Sequence, residues 1–230
     1  NILPSSFTLA IFPLMARYAA TAKGSLLKAY RLAIKLLLVM ALPLAILGWA
    51  AAHPLIQLLG GADYLPQGAQ ILKVMVWYMP VGFLNSVTQY VLISLDQQRL
   101  LTRAFVIGLT FNLVANLIGL TQYGWMASAW VTVLSELVLF VPFYLGIRRH
   151  LAPIPWLKLA WTQLVSAVPL VALLLFLPHY KAPAVLAGLL IYVAGLVVLR
   201  TFDVDERRVL EDVLPVRRLG EKLIAKVRGA

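Results

Sequence analysis

A single carboxylate sits deep in an apolar stretch: Glu136 lies about a dozen residues from either end of the run 124–146. An ionised group near the middle of a lipid-spanning helix costs on the order of 2.5–3.5 kcal/mol, so Glu136 is expected to be paired, hydrated or protonated. Ser128, Thr132 and then Ser135 or Glu136 recur at helical spacing, making a polar stripe that faces protein or a water cavity. The chemistry open to such a stripe is either hydrogen bonding between helices or carriage of charge through the membrane interior.

Other polar groups interrupt the apolar runs at helical intervals. Gly108, Asn112, Asn116 and Gly119 share a face; small residues let helices approach and asparagines bridge them. Asn85 and Gln89 form a weaker stripe, and so do Gln163 and Ser166. Lys28, Arg31 and Lys35 share the face of a helix entering the membrane, with Lys35 roughly 10 Å in at about 1.5 Å per residue. Lys35 either snorkels back to the surface or faces a cavity, where it would suit an anionic group.

None of these groups forms an enzymatic constellation, and no cofactor is expected. There is no glycine-rich phosphate loop, so ATP hydrolysis by this chain is not expected. Cysteine is absent, which removes thiolate metal sites and thiol nucleophiles. His53, His150 and His179 are far apart near run ends and read as interfacial residues, not metal ligands.

The elements that must position these residues follow from composition. Apolar residues make up 62% and charged residues 13%, far from the balance of a soluble domain. Lipid is the expected solvent. A hydrocarbon core about 30 Å thick needs roughly 20 apolar helical residues, and six runs qualify: 30–52, 69–95, 101–120, 124–146, 157–177 and 183–199. A partial seventh covers 2–16, and the absence of an initial methionine or a cleavable leader suggests a piece of a longer protein, cut within a span. Pro43, Pro80, Pro142 and Pro169 fall inside runs and tend to kink them, as fixed bends or as hinges. The fold class is therefore all-α and polytopic, with six complete transmembrane helices and one partial. Residues 1–200 form the membrane bundle and 201–230 an amphipathic cytoplasmic tail. In that tail Asp203 and Glu206 have the form of a capping box opening a short helix that Pro215 ends, and a basic amphipathic stretch covers 216–227.

Alternate connections differ sharply in charge. Of the twenty lysines and arginines, eighteen fall on one side of the bundle, leaving Lys73 and Lys181 on the other. The positive-inside rule makes the crowded side, and the C-terminus, cytoplasmic. The net charge of +11 is thus topology and does not call for nucleic acid. Tyr30, Trp49, Trp77, Tyr78, Tyr123, Trp125, Trp156, Trp161 and Tyr180 cluster near run ends, where amphipathic rings sit at the interface.

Three segments then occur in a telling order: "FPLMAR" at 12–17, "ALPLAILGWAAAHPLIQLLGGADY" at 41–64 and "NLVANLIGLTQYGWMASAWVTVLSE" at 112–136. The set resembles the polysaccharide-export flippases (O-antigen type) of the MOP superfamily over most of 2–199. Met126-Ala127-Ser128 departs from the small residues usual in that hairpin. The resemblance implies the second lobe of a 14-helix MATE-like transporter with a central cavity. It also implies a bacterial inner-membrane flippase that moves an undecaprenyl-pyrophosphate-linked oligosaccharide by alternating access. Membrane lipids and, in one version, a glycan polymerase or glycosyltransferases would be its partners. Arg17, Lys35, Asn85, Gln89, Asn112, Asn116 and Glu136 are the candidate cavity residues, with Arg17 and Lys35 drawing the pyrophosphate and Glu136 repelling it onward or coupling to a proton. Two alternatives stand beside it: a cation-coupled multidrug exporter of the same superfamily, and a non-transporting membrane scaffold for glycan assembly.

Overall fold

Proline and glycine decide where the long apolar runs break. The computed structural model describes residues 12–13, 15–176, 181–203 and 206, which include eight α-helices and, among the described residues, no strand. They are α1 (Lys23–Ala50), α2 (Ala52–Gly60), α3 (Gln67–Met75), α4 (Tyr78–Ser94), α5 (Gln98–Tyr123), α6 (Trp125–His150), α7 (Trp156–Phe176) and α8 (Lys181–Val198). The run predicted as one helix over 69–95 is two, α3 and α4. Pro80 cannot donate to the Val76 carbonyl four residues back, and its ring clashes there. The backbone responds with i→i−3 bonds, Trp77 to Val74 and Met79 to Val76, and the helix breaks between them.

Glycine makes the tightest connection possible between α5 and α6. Gly124 ends one helix and begins the next at φ 63°, ψ −152°, a conformation that a Cβ would strain. Two 26-residue helices therefore fold back on each other through one residue.

Five segments are long and apolar enough to cross a bilayer, the α3–α4 pair counting as one, against the six that composition predicts. The sixth, α8, has a shorter apolar stretch over Pro183–Val198, about 24 Å of helix. The partial helix expected over 2–16 falls mostly outside the described residues, as do His179, Tyr180 and the amphipathic tail from 207 onward.

The helices pack in the order α5, α6, α4, α1, α7, α8, with α3 against α6 and α2 against α3. The main core lies where α1, α4 and α6 meet, around Tyr30, Ile34, Phe83, Val87, Phe143 and Ile147. A smaller one joins α1, α7 and α8 around Ile46, Leu170, Tyr192 and Leu196. Pro43 contributes to it indirectly. It removes the helical donor for the Val39 carbonyl, and the Tyr192 hydroxyl donates to that oxygen at 3.1 Å. A backbone acceptor freed inside the membrane is thereby satisfied by a neighbouring helix. The outer helices carry the apolar surface, with Leu109, Leu113 and Leu117 of α5 and Leu186, Leu190 and Val197 of α8 exposed.

Tyr30 corrects the interfacial assignment. It is fully buried, and its hydroxyl lies 2.7 Å from that of Thr88. Thr88 has one proton and donates it to the Leu84 carbonyl at 2.6 Å, so Tyr30 is the donor. Trp156 is likewise packed edge-on against Tyr30 and Phe140 at 6.1 and 5.0 Å. Trp77, Tyr123, Trp125 and Trp161 are exposed, as boundary rings should be. Tyr30→Phe removes the α1–α4 hydrogen bond and is expected to cost about 1 kcal/mol. Thermal unfolding in detergent should show this loss, and an unchanged midpoint would mean that the Tyr30–Thr88 bond adds nothing to stability.

Candidate functional site

The polar stripes of three helices converge into one line. On α4, the Asn85 amide donates to the Glu136 carboxylate of α6 at 2.8 Å and to the Glu136 backbone carbonyl at 2.9 Å. On α5, the Asn112 amide donates to the Ser135 hydroxyl at 2.9 Å. Ser135 passes its own proton to the Val131 carbonyl at 2.7 Å. One turn further, the Asn116 amide donates to the Asn112 carbonyl and side-chain oxygens at 2.9 and 3.2 Å. Adjacent residues Ser135 and Glu136 thus point to opposite neighbours, because a step of one residue turns a helix by about 100°.

Burial raises the stakes of this line. Asn85 is buried, and its Oδ1 has no hydrogen-bond partner among the described residues. The Oδ1 of Asn116 is in the same position. Unmet buried acceptors cost about 1–3 kcal/mol each, so both are places where a donor or a cation would be welcome. Gly82, three residues before Asn85, lies beside the carboxylate. A Cβ there would sit 3.6 Å from the Glu136 carboxyl carbon and 3.3 Å from the Tyr78 ring. An open cleft of about 490 Å³ runs along α5 and α6 past Thr102, Phe105, Asn112, Ser135, Glu136 and Leu139.

Of the predicted site residues, Asn85, Asn112, Asn116 and Glu136 come together. Gln89 lies one turn further along α4 and is half-buried. Arg17 is apart from the line: it is exposed, its guanidinium 5.7 Å from the centre of the Tyr18 ring. Lys35 neither snorkels freely nor opens to a cavity. Its ammonium contacts both carboxylate oxygens of Glu206, at 3.0 and 2.7 Å, with the two side chains 12% and 18% exposed. The contact brings residue 206 back beside the first half of α1. Glu206 also accepts from the Asp203 backbone N–H at 2.9 Å, half of the capping box read from sequence.

Sequence reasoning missed Glu206 as the partner of Lys35, for which the capping pattern was the only signal. Gln163 and Ser166 of α7, which share a helix face, are buried in the bundle.

A family model described as MatE matches residues 2–118, just over half of the 230-residue chain. No curated protein matches it.

Proposed function

The chain belongs to the MatE family of the MOP superfamily, and we propose that its protein is a bacterial inner-membrane flippase for a lipid-linked oligosaccharide. The observation that carries this reading is the character of the polar line. It holds one carboxylate among amides and a hydroxyl, at Asn85, Asn112, Asn116, Ser135 and Glu136. Amides and hydroxyls suit the hydroxyl-rich surface of a sugar. The α5–α6 cleft beside them is open, bounded partly by apolar residues such as Phe105 and Leu139. An open side of that kind lets a polyprenyl tail stay in lipid while the polar head passes inside. The crowded basic side and the C-terminus are cytoplasmic in this reading, so the exposed Arg17 is placed to meet the anionic head first. Alternating access would then carry the head past the amide line.

A cation-coupled exporter of the same superfamily is the second reading, favoured by one observation. The unpartnered Asn85 Oδ1 belongs to the side chain that holds Glu136, so two oxygen donors are at hand for a proton or an alkali cation.

The test uses the full-length protein in liposomes with a fluorescent, pyrophosphate-linked glycolipid and a membrane-impermeant glycosidase. The expected result is a burst of cleavage beyond the outer-leaflet fraction of empty liposomes, at a rate that scales with protein. No acceleration, together with drug–proton exchange by the same vesicles, would overturn the flippase reading in favour of the exporter. Neither activity would favour a non-transporting scaffold.

A further inference from the structure

The chain breaks its helix where α1 has done its work. Ala51 stands between α1 and α2 at φ −92°, ψ 8°, and α2 then packs mainly against α3. The 28 residues of α1 make about 42 Å of helix, enough to cross a hydrocarbon core about 30 Å thick without α2. In the last turn of α1 the Lys73 ammonium lies 5.9 Å from the centre of the Trp49 ring. A cation over an indole joins an aqueous charge to an interfacial ring. So α2 begins at the membrane boundary, on the side away from the crowded basic connections.

At about 100° per residue, α2 divides into three sides. Ala52 and Ile56 point inward: Ala52 is buried, and a Cβ at Gly68 of α3 would lie 3.1 Å from the Ile56 side chain. His53 and Gln57, four apart, form an exposed polar side. Leu55, Leu58 and Leu59 lie opposite that side, and Leu58 and Leu59 are 82% and 80% exposed. Asp63 is the only charged residue from Leu36 to Leu72, and it lies beyond α2. Adjacent leucines this exposed are out of place in water, and the polar side is out of place in hydrocarbon. A helix with both sides fits the boundary between the two. Lipid is the occupant available at this level of the molecule, and α2 carries no charge that would select a protein partner.

We propose that α2 is an interfacial helix, lying in the leaflet remote from the basic side. Leu58 and Leu59 enter the acyl chains, while His53 and Gln57 face the headgroups. Because α2 is without charge, it engages the lipid surface itself and not a particular anionic headgroup. This seat is independent of what the protein transports.

Single cysteines carrying a nitroxide test the orientation. The chain contains no cysteine, and any cysteine of the full-length protein outside it is first changed to serine. Leu58→Cys, Leu59→Cys, His53→Cys and Gln57→Cys all replace exposed side chains, so each variant is expected to fold. The full-length protein is placed in nanodiscs of phosphatidylethanolamine and phosphatidylglycerol. Collision with oxygen, which concentrates in hydrocarbon, is compared with collision with a neutral nickel chelate, which stays in water. The oxygen-to-nickel ratio at positions 58 and 59 is expected to exceed that at 53 and 57 at least about threefold. Replacing phosphatidylglycerol by phosphatidylcholine should leave the ratios unchanged. Free collision with nickel at all four positions would place α2 in water and overturn the proposal. Low collision with both reagents at 58 and 59 would show protein covering the leucines and would overturn it too. Loss of the contrast without the anionic lipid would replace the lipid surface by a headgroup site.

Discussion

Glu136→Gln is expected to lower the initial rate of glycolipid exposure at least about tenfold, a barrier change of roughly 1.4 kcal/mol or more, while the protein reaches the membrane in normal amount. Glutamine retains an oxygen that can accept the Asn85 amide bond seen at 2.8 Å. The second bond from Asn85, at 2.9 Å, goes to the backbone and is untouched by the change. Packing against Gly82 is also conserved, because the two side chains have nearly the same shape. What disappears is the capacity to hold a negative charge or a proton in the middle of α6. Initial rates in liposomes, normalised to protein measured by immunoblot, distinguish the two roles. A tenfold loss assigns a transport role to the charge. A wild-type rate would reduce Glu136 to a hydrogen-bond anchor between α4 and α6 and would remove it from the mechanism.

The parts of this molecule legible in sequence are those that depend on local pattern. Helical spacing put Asn112 and Asn116 on one face, where the Asn116 amide reaches the Asn112 oxygens. Half of the capping box at Asp203 and Glu206 formed as its spacing implies. What spacing cannot say is which helix a polar face will meet. Asn85 and Glu136 are 51 residues apart and Lys35 and Glu206 are 171 apart. In a soluble protein the apolar face of a helix points to the core; in lipid both faces are apolar, and that contrast is lost. This is why Tyr30 reads as a boundary ring although it is buried at the meeting of α1 and α4. The break between α3 and α4 is different in kind. Pro80 was visible, but hydropathy runs smoothly across it and hides the missing hydrogen bond.

Gly188→Leu should produce the largest loss of stability, and its consequences reach Glu206. A Cβ at Gly188 would collide with the side chain of Leu170 and lie 3.2 Å from its Cα, so backbone as well as side chain must yield. Seven residues on, a Cβ at Gly195 would meet Ser166 Oγ at 2.9 Å and its Cα at 3.4 Å. The two glycines, with buried Ala184 and Tyr192, let α8 lie directly on the backbone of α7. Close approach of this kind is what binds helices in lipid, where no hydrophobic force separates protein from solvent. Overpacking costs about 1–3 kcal/mol, and a backbone obstruction puts this case at the upper end. For a protein of this size that corresponds to a melting temperature lower by about 6–12 °C. Displacing α8 also carries Tyr192 away from the Val39 carbonyl and Glu206 away from Lys35. Gly188→Leu is therefore expected to melt early when unfolding is followed thermally in detergent. If Gly188→Leu melts as the parent does, α7 and α8 do not approach as closely as their glycines imply.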